Sequence, residues 1–331
     1  MFASQTCFLL FLLGLDMQPQ ALFQVVRKAT LVAILSCSSF ALTGYLIATA
    51  FSFNVQEAVI IGAAMMFSST IIGIKLLPTT VLHHKHVGEL MIGILLLQDV
   101  IAIFVLIALM SGDSGGVDIS KFASAIIALP FVIAAAWLFV KYVLLKLIAR
   151  FDRFHEYIFL LAVGWCMGLA ELAAALGLSS EIGAFIAGVT LATSPISQYI
   201  ATSLKPLRDF FLILFFFSIG AGFDLSLLQS IWLPALCLAI CMLVLKPVIF
   251  RLLLRRMSET KYLAWDVGFR LGQISEFSLL VAFLAFEKEL IGKDASHLIQ
   301  ATAILTFIAS TYLVILRYPT PIAISDRLRR D

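Results

Sequence analysis

The chain has 331 residues, 62% of them hydrophobic and 13% charged, with a formal net charge of +3 and a mean hydropathy of +1.06. A soluble fold of this length has too small an interior for that apolar content, so lipid must solvate most of the surface. The small net charge gives no reason to expect nucleic acid as a partner, and the cysteines (Cys7, Cys37, Cys166, Cys237 and Cys241) lack metal-ligand spacing and read as small packing residues.

A helix needs roughly 17–25 apolar residues to cross about 30 Å of hydrocarbon. Such runs recur near 1–15, 30–50, 56–77, 87–110, 121–145, 155–177, 181–201, 207–223, 232–254, 262–286 and 296–317. The repetition excludes a cleaved signal peptide or a single anchor. The expected fold class is therefore an all-α polytopic membrane protein, with one transmembrane domain over 1–331. Arg27/Lys28, Lys85, Lys146/Arg150/Arg153, Lys205/Arg208, Arg251/Arg255/Arg256/Lys261 and Arg327/Arg329/Arg330 are expected in loops on one side. Glu57, Asp113, Asp118, Lys121, Asp224 and a mixed Glu287–Asp294 loop fall on the other. The positive-inside rule then makes the first side cytoplasmic, with the C-terminus inside and the cell inner membrane as the location. The first span begins with almost nothing before it, so an upstream portion is expected to be missing.

The spans 30–50, 56–77 and 87–110 form one triplet, and 232–254, 262–286 and 296–317 form another running in the opposite direction. Each middle span is interrupted by small or polar residues, Ser68-Ser69-Thr70 in the first and Gly272-Gln273-Ile274-Ser275-Glu276 in the second. Inverted repeats with paired discontinuous helices mark secondary transporters. Irregular backbone at membrane depth requires protein or a wet cavity to satisfy its polar groups, so the two breaks are expected to face each other around a site. Close helix packing is the alternative use for these small residues, as it is for Gly183-Ala184-Phe185-Ile186-Ala187-Gly188.

An ionisable side chain at membrane depth costs at least ~2.5–3.5 kcal/mol and needs a partner, a cavity or a task. Asp99, in Leu97-Gln98-Asp99-Val100, is the leading candidate. Its carboxylate can hold a desolvated cation or carry a proton, but not favourably both; the alternative is a structural aspartate that bonds a broken-helix backbone. Gln98 beside it offers a neutral carbonyl oxygen of the kind hard cations accept. Lys246, before Pro247, is either the ion-pair partner of Asp99 or a counter-charge to a helix C-terminus. Ser68, Ser69, Thr70, Gln273, Ser275 and Glu276 are candidates to line a cation path or to cap the half-helices. Arg270 lies six residues before Glu276, off its helical face, and is expected to find a separate partner, while Glu171 reads slightly more as structure than as transport. His83-His84-Lys85-His86 either senses pH or is a solvated basic loop. No nucleophile–base pair or metal-ligand cluster shares one membrane depth, so neither an enzyme nor a cofactor is expected, nor any metal beyond a transported monovalent cation.

With these residues in view, the chain resembles the monovalent cation–proton antiporter-2 family, and within it the Kef-type potassium–proton branch. The resemblance rests on Gly14-Leu15-Asp16, Ser68-Ser69-Thr70, Gln98-Asp99, Gly183–Gly188, Phe215-Phe216-Phe217-Ser218-Ile219-Gly220, Lys246 and Gly272-Gln273-Ile274-Ser275-Glu276-Phe277, in that order along nearly the whole chain. It implies two inverted repeats, crossed discontinuous helices around the ion, a homodimer, and elevator-like alternating access. It also implies that Asp99 binds the ion and proton, with Gln98 its neighbour and Lys246 the core lysine. Relatives of this type usually have about two further N-terminal spans and continue into a cytoplasmic nucleotide-binding domain; with the sequence ending at Asp331, no such regulatory domain is expected in it. The substrates implied are K⁺, or in second place Na⁺, exchanged for H⁺ through one carboxylate. A potassium efflux channel of the same fold and a non-transporting membrane sensor or subunit remain alternatives at this stage.

Overall fold

In lipid the helix is the one isolated backbone conformation that satisfies its own N–H and C=O groups, and helix dominates this chain. A computed structural model describes residues 7–8, 10–12, 14–15, 19–70, 73, 86–110, 112–113, 116–117, 119–150, 155–176, 178, 180–194 and 197–320. In order these form α1 (Pro19–Ala50), α2 (Val55–Met65), α3 (His86–Met110), two paired two-residue strands β1 (Gly112–Asp113) and β2 (Gly116–Val117), and α4 (Ile119–Phe139). A π turn, Val140–Leu144, carries α4 into α5 (Leu145–Arg150). There follow α6 (His155–Ala175), α7 (Ser180–Ala192), α8 (Ser197–Ala221), a 3₁₀ turn (Leu225–Leu227), α9 (Leu228–Arg256), α10 (Lys261–Arg270), α11 (Glu276–Glu287) and α12 (Lys293–Arg317). Among the described residues, six stretches are long and apolar enough to cross a membrane: Ala29–Ala50, Leu90–Leu109, Ile127–Leu147, Tyr157–Ala175, Gln229–Arg256 and Lys293–Arg317. The chain is a multi-pass membrane protein.

Two expected loops are helical instead. Arg27 and Lys28 lie inside α1, which starts at Pro19 and meets no breaker before Ala50. Lys205 and Arg208 lie inside α8 because the chain breaks earlier, between Ala192 and Ser197, and Pro206 is accommodated within the helix. His83, His84 and Lys85 lie outside the described residues, as does Asp16, and His86 opens α3.

The chain divides into two compact units, one of Met1–Gln20 with Val117–Phe223, the other of Ala21–Gly116 with Asp224–Asp331. In the first, α6 and α7 pack closely. A Cβ added at Gly183 would stand 2.5 Å from the Leu169 carbonyl oxygen, and one at Gly188 would stand 2.0 Å from that of Phe11. Trp165 stacks on Phe139 with ring centroids 5.0 Å apart, and its Nε1–H donates to Ala187 O at 3.1 Å. Gly188→Ala is expected to destabilise the protein by about 1–3 kcal/mol, because the obstruction is backbone that cannot rotate away. A lower melting temperature in detergent checks this.

In the second unit, capping sets where the short helices begin. Asn54 Oδ1 accepts the Glu57 N–H at 2.8 Å, Glu57 Oε2 accepts the Asn54 N–H at 3.4 Å, and Glu57 Oε1 accepts the Gly292 N–H at 3.0 Å. One carboxylate therefore closes the capping box of α2 and ties it to the start of α12. Thr260 caps α10 by accepting the Leu263 N–H, and Ser275 caps α11 by accepting the Phe277 N–H. Helices α9 and α10 meet at Gly268, where a Cβ would be 2.8 Å from Pro247 Cα. That close approach brings Lys246, the residue before Pro247, to the end of α10.

Candidate functional site

The site lies wholly within the second unit, where two unwound segments cross. Helix α2 ends at Met65, residues 66–69 are not helical, and helix resumes at Thr70; α10 ends at Arg270, residues 271–275 are not helical, and α11 starts at Glu276. Ser68, Ser69, Gln273 and Ser275 are buried. The breaks bond each other directly: Ser68 Oγ donates to Leu271 O at 2.9 Å, and Gln273 Nε2 donates to Ser69 O at 3.3 Å. Ser278 Oγ also donates to Ala64 O, in the last turn of α2.

Lys246 is fully buried and reaches both breaks from α9. Its Nζ donates to Phe67 O at 2.6 Å, to Gln273 O at 3.0 Å and to Ser68 Oγ at 3.3 Å, and it stands 5.2 Å from the centroid of the Phe40 ring. Its three donors are thus used on one carbonyl from each unwound segment, just past the C-termini of α2 and α10, and on the Ser68 hydroxyl. Of the two roles left open by the sequence, the geometry matches the partner of helix C-termini. No ion pair between Lys246 and Asp99 is present among the described residues.

Helix α3 supplies Gln98 and Asp99, both buried. Gln98 Oε1 accepts the Ser68 N–H at 3.1 Å and Nε2 donates to Met66 O at 3.5 Å. The amide therefore substitutes for the helical partners that the first break has lost. Asp99 has the Thr70 hydroxyl and the Glu276 carboxylate as its electrostatic neighbours. Glu276 opens α11, 7% exposed, and its Oε2 accepts from Ser275 Oγ at 3.4 Å. Two carboxylates and a hydroxyl consequently converge beside the crossing, at the N-terminal end of α11. Neighbouring carboxylates of this kind suit a desolvated alkali cation or a shared proton.

Two of the candidates lie apart from this cluster. Arg270 is buried, its Nε 2.7 Å from Asp266 Oδ1, and its Nη2 donates to Pro319 O at 2.8 Å. It clasps the chain leaving α12 onto α10. Glu171 belongs to α6 in the other unit and is exposed.

Sequence reasoning missed Thr306 and Ser310 on α12. Thr306 Oγ1 accepts the Ile274 N–H at 3.3 Å, and Ser310 Oγ donates to Gln273 Oε1 at 2.9 Å. Thr302, Thr306 and Ser310 recur every four residues in an apolar helix and are all buried, a hydroxyl stripe that marks a face turned to polar backbone. Thr306→Val, near-isosteric but without the acceptor, should cost about 1–3 kcal/mol by leaving a buried N–H unsatisfied. Thermal unfolding measures the loss.

A family model described as the transmembrane part of the sodium/hydrogen exchanger matches residues 5–316. The chain is 26% identical over 305 residues to the iron transporter MagA of Paramagnetospirillum magneticum, covering 92% of this chain and 70% of that protein. It is 28% identical over 317 residues to K(+) efflux antiporter 5 of Arabidopsis thaliana, and 29% over 319 residues to K(+) efflux antiporter 4 of the same plant. Those alignments cover 92% of this chain but 55% and 53% of the plant proteins, so the chain spans about half their length. The solved sodium proton antiporter MjNhaP1 of Methanocaldococcus jannaschii superposes with a TM-score of 0.70 at 17% identity, covering 94% of this chain and 81% of that one.

Proposed function

The chain belongs to the sodium/hydrogen exchanger transmembrane family, and from that premise we propose that it exchanges a monovalent cation, K⁺ in preference to Na⁺, for H⁺ by competition at Asp99. The observation that carries this reading is the division of labour at the crossing. Lys246 bonds backbone carbonyls, which leaves the buried Asp99 carboxylate to be balanced by a proton or a cation. The names of the plant relatives favour potassium. We further propose that the triplets α1–α3 and α9–α12 are inverted repeats, that access alternates, and that the functional form is a homodimer. From the bias of basic residues toward one side we also propose a cytoplasmic C-terminus and a location in the inner membrane.

Reconstitution in proteoliposomes carrying an internal pH-sensitive dye tests the reading. Added K⁺ should drive proton efflux and dye dequenching, with Na⁺ less effective. Silence toward both cations in folded protein would sink the proposal, and cation movement without proton coupling would make it a channel. Glu276→Gln removes a negative charge beside Asp99 and should raise the half-saturating cation concentration about tenfold, as expected for the loss of a neighbouring charge worth roughly 1.4 kcal/mol. A concentration series in the same assay reads this.

A further inference from the structure

The C-terminal ends of α9 and α12, with the middle and end of α10, form a ladder that the ion site does not use. Arg251 Cζ lies 4.7 Å from the centroid of the Trp265 ring, Trp265 stacks on Phe269 at 5.4 Å and 28°, and Arg317 Cζ lies 5.6 Å from the Phe269 centroid. Two guanidinium groups thus flank a pair of aromatic rings. A guanidinium held over a ring uses its face and leaves its in-plane N–H fork free for a planar or tetrahedral oxyanion. Among the described residues neither Arg251 nor Arg317 has a carboxylate within ion-pair distance, and the Asp266 carboxylate nearby is paired with Arg270. Arg255 and Arg256 at the end of α9 and Lys261 at the start of α10 add positive charge, against Glu259 between them.

The surroundings identify the kind of anion. Leu252, Tyr312 and Leu316 on α9 and α12 are exposed beside the ladder, Leu316 by 64%, and Tyr262 at the start of α10 by 68%. The charged fork therefore sits where an apolar, lipid-facing surface ends and aromatic side chains mark the interface. A soluble anion would have no use for that apolar border. We propose that the Arg251–Trp265–Phe269–Arg317 ladder binds the phosphate headgroup of an anionic phospholipid whose acyl chains lie along α9 and α12. Since α10 leads into the second break through Leu271, such a lipid would brace the helix that carries it.

The test measures melting temperature for the purified chain in detergent micelles, titrated with dioleoylphosphatidylglycerol, dioleoylphosphatidylcholine or inorganic phosphate. The anionic lipid should raise the melting temperature and the other two should not. Arg251→Gln with Arg317→Gln should weaken the apparent affinity for the anionic lipid about thirtyfold, at the usual contribution of a basic residue near a lipid surface. Arg255→Gln with Arg256→Gln, outside the ladder, should keep most of the shift. An unchanged titration in the first pair, an equal loss in the second, or an equal shift with phosphatidylcholine each overturns the proposal. A shift with inorganic phosphate alone reassigns the site to a soluble anion and overturns the lipid. Should the glutamine pair not fold, Arg251→Lys with Arg317→Lys serves instead: it keeps the charge, loses the planar fork, and must weaken the titration for the ladder to stand.

Discussion

Asp99→Asn is expected to reduce cation-driven proton movement to the background of protein-free liposomes while leaving the protein folded. Asparagine keeps the size of the buried side chain, so the packing of α3 against the breaks is preserved. What it loses is the ability to take up and release a proton, and the charge that attracts a cation. Stability should stay level or rise, because a buried charge beside the Glu276 carboxylate is removed. Flux and melting temperature measured on the same preparation separate this outcome from misfolding. Residual exchange above background would move the shared site elsewhere, with Glu276 the next candidate.

Lys246→Met should have the largest effect on stability. The substitution keeps the length of the side chain but leaves the carbonyls of Phe67 and Gln273 without their donor in a fully buried position. At ~1–3 kcal/mol for each of the two stranded buried acceptors, the loss comes to about 2–6 kcal/mol. Both breaks lose their common anchor at once, so exchange should fall with stability. The double variant Lys246→Met with Asp99→Asn distinguishes the two roles the sequence left open. If the lysine neutralised Asp99, removing both charges would restore stability; the observed geometry predicts no rescue.

The features legible in the sequence are those whose physics is local. Six of the eleven expected spans follow from apolar length as long helices among the described residues, and the breaks at Ser68–Thr70 and Gly272–Glu276 follow from small and polar residues inside apolar segments. Asp99 and Lys246 stand out because an ionisable group in hydrocarbon needs a reason to be there. What was not legible is which group meets which. The Ser68–Leu271 hydrogen bond joins residues 203 positions apart, and nothing in either segment names the other. The sequence offers Gln98 only as a cation ligand beside Asp99, and it takes the positions of Ser68 and Met66 to show that its amide bonds the first break. Arg27/Lys28 and Lys205/Arg208 were placed in loops because basic residues suggest span ends, yet the backbone stays helical through both pairs. Thr306 and Ser310 carried a usable signal in their four-residue spacing, but hydroxyls cost little in a membrane helix and so attract less notice than charges. Arg270 lies six residues from Glu276, and the separate partner expected from that offset is Asp266, one helical turn earlier.

Competition between a proton and a cation for one carboxylate makes a claim about binding that does not depend on flux. Calorimetric titration of the purified protein with K⁺, repeated in buffers of different ionisation enthalpy, gives the number of protons released per cation bound. The value predicted is one proton per cation for the wild type, with both binding and release lost in Asp99→Asn. Potassium binding with no proton release, or unaltered release in the asparagine variant, would contradict the account.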